Sequence, residues 1–365
     1  MTLTRGARIT GAVLCAALAL IVAAWIVRDL TTAADPLDLW RYWTGSRRSA
    51  ASTPLTTTLQ DLLLFAVYVT VALAALRSPV AAAALVAAGV ITLAVRLPGL
   101  WVLSSSWMDL RSADELRTRA LYCVFAALGL GIGLIITAAA GRRAPGAAHD
   151  LYAHGLYARD PYAHDPYAHD PYARGAYAHE RTPTRPTQGV SVLAFLLLGA
   201  SAGVLAAWEI YTATDYAGTR YLDRFTGSTS IRLPPLGTPP GWLTAVIVVL
   251  ALVAAVGALF HAVFSRPLGL VVAVFLVGMG GTGLDFAVRN ELMSHLGDVG
   301  LREQLLVGSW LFELAAGAVL LPALARRGEG DTSGGGAPAW QPQSGHGHPQ
   351  PGYGPPPPQT PPPGW

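Results

Sequence analysis

The sequence predicts an all-α integral membrane protein of about eight transmembrane helices, built as two parallel four-helix repeats with a disordered cytoplasmic linker and tail. Three observations predict it. The chain is poor in charge, it contains eight apolar runs of spanning length, and a set of landmarks recurs in the same order in its second half.

Of 365 residues, 52% are hydrophobic and only 13% charged. Soluble domains carry roughly 25% charged residues, so lipid is the implied solvent. All 25 basic residues are arginine. With heavy alanine, glycine and proline use, this composition suggests a GC-rich, bacterial genome. A net charge of +3, scattered along the chain, argues against nucleic-acid binding. Cys15 and Cys123 lie in apolar runs and read as small buried hydrophobes rather than a disulfide pair.

A span needs roughly 20 mainly apolar residues. The qualifying segments are Ile9–Val27, Leu59–Leu76, Pro79–Leu103, Ala120–Ala140, Val190–Tyr211, Trp242–Phe264, Pro267–Val288 and Leu305–Ala325. None alternates as a barrel strand would, so helices are the expected form. The first run follows Arg5 and Arg8 as a signal peptide would. It is longer than the usual apolar region of roughly 7–15 residues, and Leu14 before Cys15 spoils a lipoprotein cleavage site.

Arginine placement orients the chain. With the N-terminus inside, the inner flanks hold Arg5, Arg8, Arg77, Arg142, Arg143, Arg266, Arg326 and Arg327, and no acid adjoins any of them. The outer loops mix both signs. The reading is a cell-membrane protein with both termini cytoplasmic. Trp25, Trp43, Trp101, Trp208 and Trp242 then fall near the outer interface, where an amphipathic ring is stable.

The two halves match in order. Ala23-Ala24-Trp25 matches Ala206-Ala207-Trp208, and Trp43-Thr44-Gly45 matches Phe225-Thr226-Gly227. Arg77-Ser78-Pro79 matches Ser265-Arg266-Pro267, Ala94-Val95-Arg96 matches Ala287-Val288-Arg289, and Arg142-Arg143 matches Arg326-Arg327. The offsets are 183, 182, 188, 193 and 184 residues, so Ala-Val-Arg is the weakest match. An even number of spans per unit makes the repeats parallel, related by an axis along the membrane normal. The domains expected are a cytoplasmic N-terminus at 1–8, a first membrane unit at 9–143, a linker at 144–189, a second unit at 190–327 and a tail at 328–365.

Residues 151–180 are six pentads of the Tyr-Ala-His/Arg type, punctuated by Pro161, Pro166 and Pro171. Period five fits neither helix nor strand, and the prolines break helices, so a disordered spacer is expected. Its histidines fix no coordination geometry, so no metal is assigned. The tail is rich in glycine and proline and ends PPPPQTPPPGW, an extended, partly polyproline II segment. Linker and tail are the places where protein partners could dock, beside the lipid bilayer itself.

Glu313 is the deepest acid, eight residues into the last run, or roughly 12 Å. A charge at a span centre costs on the order of 3 kcal/mol. It must face the bundle interior, find a partner or stay protonated. It is either a proton or cation site or a neutral acid hydrogen-bonded between helices. The residue aligned with it in the first half is Gly129. Asp285 and Arg289 are spaced to pair along one helix face. Arg289 with Arg96 across the pseudo-twofold axis would form an outer-leaflet anion site.

Gly199-Ala200-Ser201-Ala202-Gly203 matches G-x-S-x-G, but that motif needs a strand-turn-helix elbow, and His261 lies roughly 12 Å away in depth. Gly199 with Gly203, and Gly129 with Gly133, instead read as small-residue helix packing. Gly278, Gly280, Gly281 and Gly283 read as packing or a local helix break. Gly281-Thr282-Gly283-Leu284-Asp285 has one residue too many for the GxGD motif of intramembrane aspartyl proteases. No Walker A, HExxH or cofactor fingerprint is present.

The functional expectation is a non-enzymatic multipass interaction or envelope protein, without cofactor or nucleic-acid partner. The alternative is a small-solute or ion transporter with a polar site containing Glu313 between the repeats.

Overall fold

A computed structural model describes residues 3–33, 35–45, 54–78, 81–110, 112–142, 187–216, 219–231 and 233–326. The pentads and the Pro-rich tail lie outside the described residues, and residues 187–189 of the expected linker open a helix.

The described residues form eleven α-helices: α1 (Arg5–Thr32), α2 (Pro36–Trp43), α3 (Leu59–Arg77), α4 (Ala82–Arg96), α5 (Gly99–Ser104), α6 (Asp114–Ala140), α7 (Gln188–Asp215), α8 (Thr219–Thr226), α9 (Pro240–Leu259), α10 (Ser265–Arg289) and α11 (Leu301–Ala325). With α4 and α5 taken together, eight of these segments are long and apolar enough to cross a membrane. Large apolar side chains such as Val13, Leu20, Ile136, Leu196 and Val249 are exposed along them. In a chain this poor in charge, these faces suit lipid rather than water.

Local chemistry sets the helix ends. Thr4 Oγ1 accepts from the Ala7 amide at the start of α1. Thr58 and Asp61 form a capping box at α3, and Pro240 opens α9. Several helices outrun the apolar runs in the sequence, α1 and α11 among them. α1 continues past Val27 through Arg28 and Asp29 because the fully buried Asp29 carboxylate accepts from the amides and hydroxyls of Thr56 and Thr57 and pairs with Arg28 at 2.7 Å. α11 begins at Leu301 rather than Leu305, which puts Glu313 at its midpoint, roughly 18 Å from either end.

The third span is broken. Pro98 has no N–H, so α4 stops at Arg96 and α5 restarts at Gly99. Trp242 Nε1 takes the carbonyl of Ala94 at 2.7 Å, and Thr238 Oγ1 takes that of Val95 at 2.9 Å.

Within residues 3–142, α1 packs on α3 and α6, and α4 packs on α3 and α6. Within residues 187–326, α7 packs on α9 and α11, and α10 packs on α9 and α11. The two four-helix groups meet where α10 crosses α3 and α4 and α9 touches α4. One apolar core runs through both, from Leu18, Leu64 and Ile91 to Leu198, Ile247 and Phe275.

We call the end holding the N-terminus proximal and the other distal. At the proximal end Arg8 donates to the last carbonyls of α3, and Arg266 to those of α11. Cations there meet the negative ends of helix dipoles. At the distal end each group reaches over the other. Trp40 and Thr44 of the α2 turn hydrogen-bond Asp285 at the end of α10. Leu233 packs with Val102 and Met108, and Leu236 with Leu103 and Val124.

The glycine rows differ from the sequence expectation. A Cβ added at Gly129, Gly199 or Gly203 would meet nothing within 4 Å, and one at Gly133 only Leu14 at 3.4 Å. At Gly129, Gly199 and Gly203 no other described helix comes close, because a four-residue spacing sets a face without saying what lies opposite. The tight approaches are elsewhere: Gly89 on Gly131, Gly317 on Ala273, and Gly280 on Trp310 and Leu314.

Candidate functional site

The site is built around Glu313. Gly280 and Gly317 bring α10 and α11 into backbone contact, since a Cβ at Gly280 would lie 2.6 Å from both the Leu314 nitrogen and the Trp310 oxygen. Gly283 leaves room for the Trp310 indole, which a Cβ would meet at 2.3 Å. Gly278 does the same for Leu63 of α3. α10 is continuous through this cluster, so three of its four glycines serve close packing rather than a break. The consequence is that Trp310 is pinned over α10, edge-on to Phe286 with ring centres 6.2 Å apart. Glu313, one turn deeper, is held beneath it.

Above Glu313 lies a cavity of about 580 Å³. Its walls are Leu205, Trp208, Glu209 and Thr212 of α7, Thr244 of α9, Met279, Thr282, Gly283 and Phe286 of α10, and Leu306, Ser309 and Trp310 of α11. Arg224 of α8 and the turn Trp43-Thr44-Gly45 from the other group complete it. The cavity therefore sits inside the second four-helix group and is covered by the first. It does not lie at the packing of α10 on α3 and α4.

Glu313 is 3% exposed and makes no hydrogen bond or ion pair among the described residues. It is not the acid hydrogen-bonded between helices that the sequence left open. The hydroxyls around the cavity have spent their protons: Thr212 donates to Trp208 O, Thr244 to Pro240 O, and Thr282 to Gly278 O and Met279 O. Ser309 donates to Leu306 O and accepts from Trp208 Nε1 at 3.1 Å. What these hydroxyls turn toward the cavity are acceptor lone pairs. Arg224 pairs with Glu209 at 2.8 Å, and Glu209 Oε2 is buried without a hydrogen bond.

The first group holds a much smaller interior space, of only about 10 Å³. Val22, Trp25, Cys123 and Ala127 line it, each 183 residues before Leu205, Trp208, Leu306 and Trp310 of the large cavity. Here the interior is filled. Arg96 pairs with Asp61 at 2.5 Å and donates to Leu236 O, while the Tyr68 and Thr92 hydroxyls share a 2.9 Å hydrogen bond.

Asp285 and Arg289 do pair, at 2.8 Å. Arg96 and Arg289 are not brought together. Arg96 is buried inside the first group on Asp61, and Arg289 is bound to Asp285 at the distal end of the second, so no shared anion site forms between them. Ser201 Oγ is buried without a hydrogen bond, so no base activates it. Among the described residues no three His, Cys, Asp or Glu side chains cluster as a metal site would need.

Sequence reasoning missed Asp29, Asp61, Glu209 and Arg224. Asp61 had a readable signal, since Thr58-x-x-Asp61 is a capping box. The pairing of Glu209 with Arg224 joins two helices across a turn and left no periodic trace. Comparison of the chain with protein-family models, curated proteins and solved structures finds no match.

Proposed function

We propose that this chain is a duplicated, non-enzymatic multipass protein of the cell membrane whose second unit binds a small solute, and that the first unit is its closed structural twin. The observation that carries the reading is Glu313, a mid-span carboxylate without a partner at the base of a 580 Å³ cavity. An unpaired acid at that depth is expensive, and such residues mark solute or ion sites.

Several features support the duplication. Both groups have the same cyclic order of helix neighbours. Each has an eight-residue helix after its first span, followed by a glycine with left-handed backbone, Gly45 at φ 73° and Gly227 at φ 78°. Only glycine adopts that conformation at little cost. The two interior spaces also match at a constant offset. The arginines at the proximal end favour a cytoplasmic placement of that end, with the cavity mouth outside.

The test is access. In a Cys15→Ala, Cys123→Ala background, Ser309→Cys should react with a small membrane-impermeant thiol reagent added outside intact cells. A bound solute should slow that reaction, and Thr282→Trp should abolish it by filling the cavity. An inert Ser309→Cys, under conditions where Leu110→Cys reacts, would overturn the reading.

A further inference from the structure

The geometry points to the class of solute: a small monocation carrying N–H donors, a protonated primary or secondary amine, seated with its ammonium on Glu313 and its apolar body against the indoles. This rests on the solute-binding reading and goes beyond it by assigning charge and hydrogen-bond sense.

Three observations converge on it. The first is charge. The one cation among the described lining residues, Arg224, is already held by Glu209 at 2.8 Å, so that pair is neutral as a unit. Glu313, 3% exposed, has no such partner and leaves the interior one negative charge in excess when ionised. An anionic solute would find no cation outside that pair among the described lining residues.

The second is hydrogen-bond sense. The hydroxyls of Thr212, Thr244 and Thr282 each donate to a carbonyl of their own helix. They can only accept from a guest. Glu209 Oε2 is a further acceptor, buried and unused, and Arg224 Nε, of the guanidinium already paired with Glu209, is a buried donor without a hydrogen bond. Acceptors therefore outnumber donors there, and a guest that brings donors is matched at more places than one that brings only acceptors. An ammonium brings two or three donors together with the charge.

The third is the walls. Trp43, Trp208, Trp310 and Phe286 line the same space. Aromatic rings near a carboxylate suit a cation with an apolar body, because the ring quadrupole attracts the charge and the ring surface covers the hydrocarbon. A divalent metal ion is disfavoured by the same inventory, since calcium and magnesium take six or more oxygens, zinc takes four ligands, and no three His, Cys, Asp or Glu side chains cluster among the described residues. The volume of about 580 Å³ falls within the range of small-molecule pockets.

The experiment uses the full chain in nanodiscs and four probes sharing one ring: benzylammonium, benzyltrimethylammonium, benzyl alcohol and benzoate. Binding is read by calorimetry and by tryptophan fluorescence. Benzylammonium should bind at least about tenfold more tightly than benzyl alcohol, the equivalent of roughly 1.4 kcal/mol. Benzyltrimethylammonium, with the charge but no N–H, should fall between them, and benzoate should bind worst. Glu313→Gln should bring benzylammonium down to the level of benzyl alcohol, and an unchanged melting temperature shows that the variant is folded.

Equal or tighter binding of the alcohol or of benzoate overturns the assignment. So does a Glu313→Gln protein that keeps the preference for the ammonium, or an absence of benzylammonium binding at about 10 mM, where even a millimolar site fills. If the alcohol binds and Ser309→Cys is labelled, the cavity stands and the amine assignment alone fails. If Ser309→Cys is inert, the cavity reading fails with it.

Discussion

Trp242 Nε1 donates at 2.7 Å to the carbonyl of Ala94, the carbonyl that Pro98 deprives of its helical N–H. The break in the third span is therefore satisfied by the other four-helix group. Thr238 does the same for Val95, at 2.9 Å. A neutral hydrogen bond of this kind contributes about 1 kcal/mol, so Trp242→Phe should lower stability by that amount. In a Pro98→Ala background the restored amide competes for Ala94, and the cost of Trp242→Phe should fall by roughly half. Thermal unfolding of the four proteins closes the cycle. Additivity within about 0.3 kcal/mol would mean that Pro98 is not the reason Trp242 is there.

Arg96 and Asp61 form the interior of the first group and should be inseparable. Asp61→Asn strands a buried guanidinium and should cost about 3–5 kcal/mol, seen as loss of folded protein or a large drop in melting temperature. Asp61→Leu with Arg96→Met removes both charges and should recover most of that loss. A mild Asp61→Asn phenotype would show that Leu236 O and the remaining polar groups carry the guanidinium alone.

The spans were legible because each is long, apolar and bounded by arginine or a break. Their ends were less so. Arg28 and Asp29 look like the start of a loop, yet they continue α1 because Thr56 and Thr57, 27 and 28 residues from Asp29, satisfy the carboxylate. The Arg96–Asp61 pair spans 35 residues and the turn between α3 and α4, so no local pattern announces it. Glu313 was legible as a lone deep acid, whereas its cavity was not. The cavity depends on which faces converge, and on Gly283 yielding space to Trp310, which sequence spacing does not encode. Small-residue spacing likewise flagged Gly199 and Gly203 equally with glycines that truly approach a neighbour.

That distinction predicts opposite outcomes for the same substitution. Gly280→Ala places a methyl 2.6 Å from backbone atoms of α11, which cannot rotate away. The helices must separate, at about 1–3 kcal/mol, and solute binding beneath Trp310 should weaken with them. Gly203→Ala meets nothing within 4 Å and gains helix propensity, so its melting temperature should hold or rise slightly. A destabilised Gly203→Ala would reveal a contact outside this chain on that face, and its dependence on protein concentration would show whether a second copy makes it.

The proposed orientation has a rival explanation for some of its arginines, which makes it worth testing. Arg8 and Arg266 already neutralise the carbonyl ends of α3 and α11, a role they would fill whichever way the protein faced. If structure alone placed them, the topology could be inverted, and the cavity would open to the cytoplasm. Exposed positions at the two ends decide it in the cysteine-free background. Leu110→Cys and Leu301→Cys, distal and 84% and 70% exposed, should react with an impermeant thiol reagent on intact cells. Phe260→Cys, proximal and 75% exposed, should react only after the cells are opened. The reverse pattern would turn the protein over and make Glu313 accessible from within, so that any solute it holds would come from the cytoplasm.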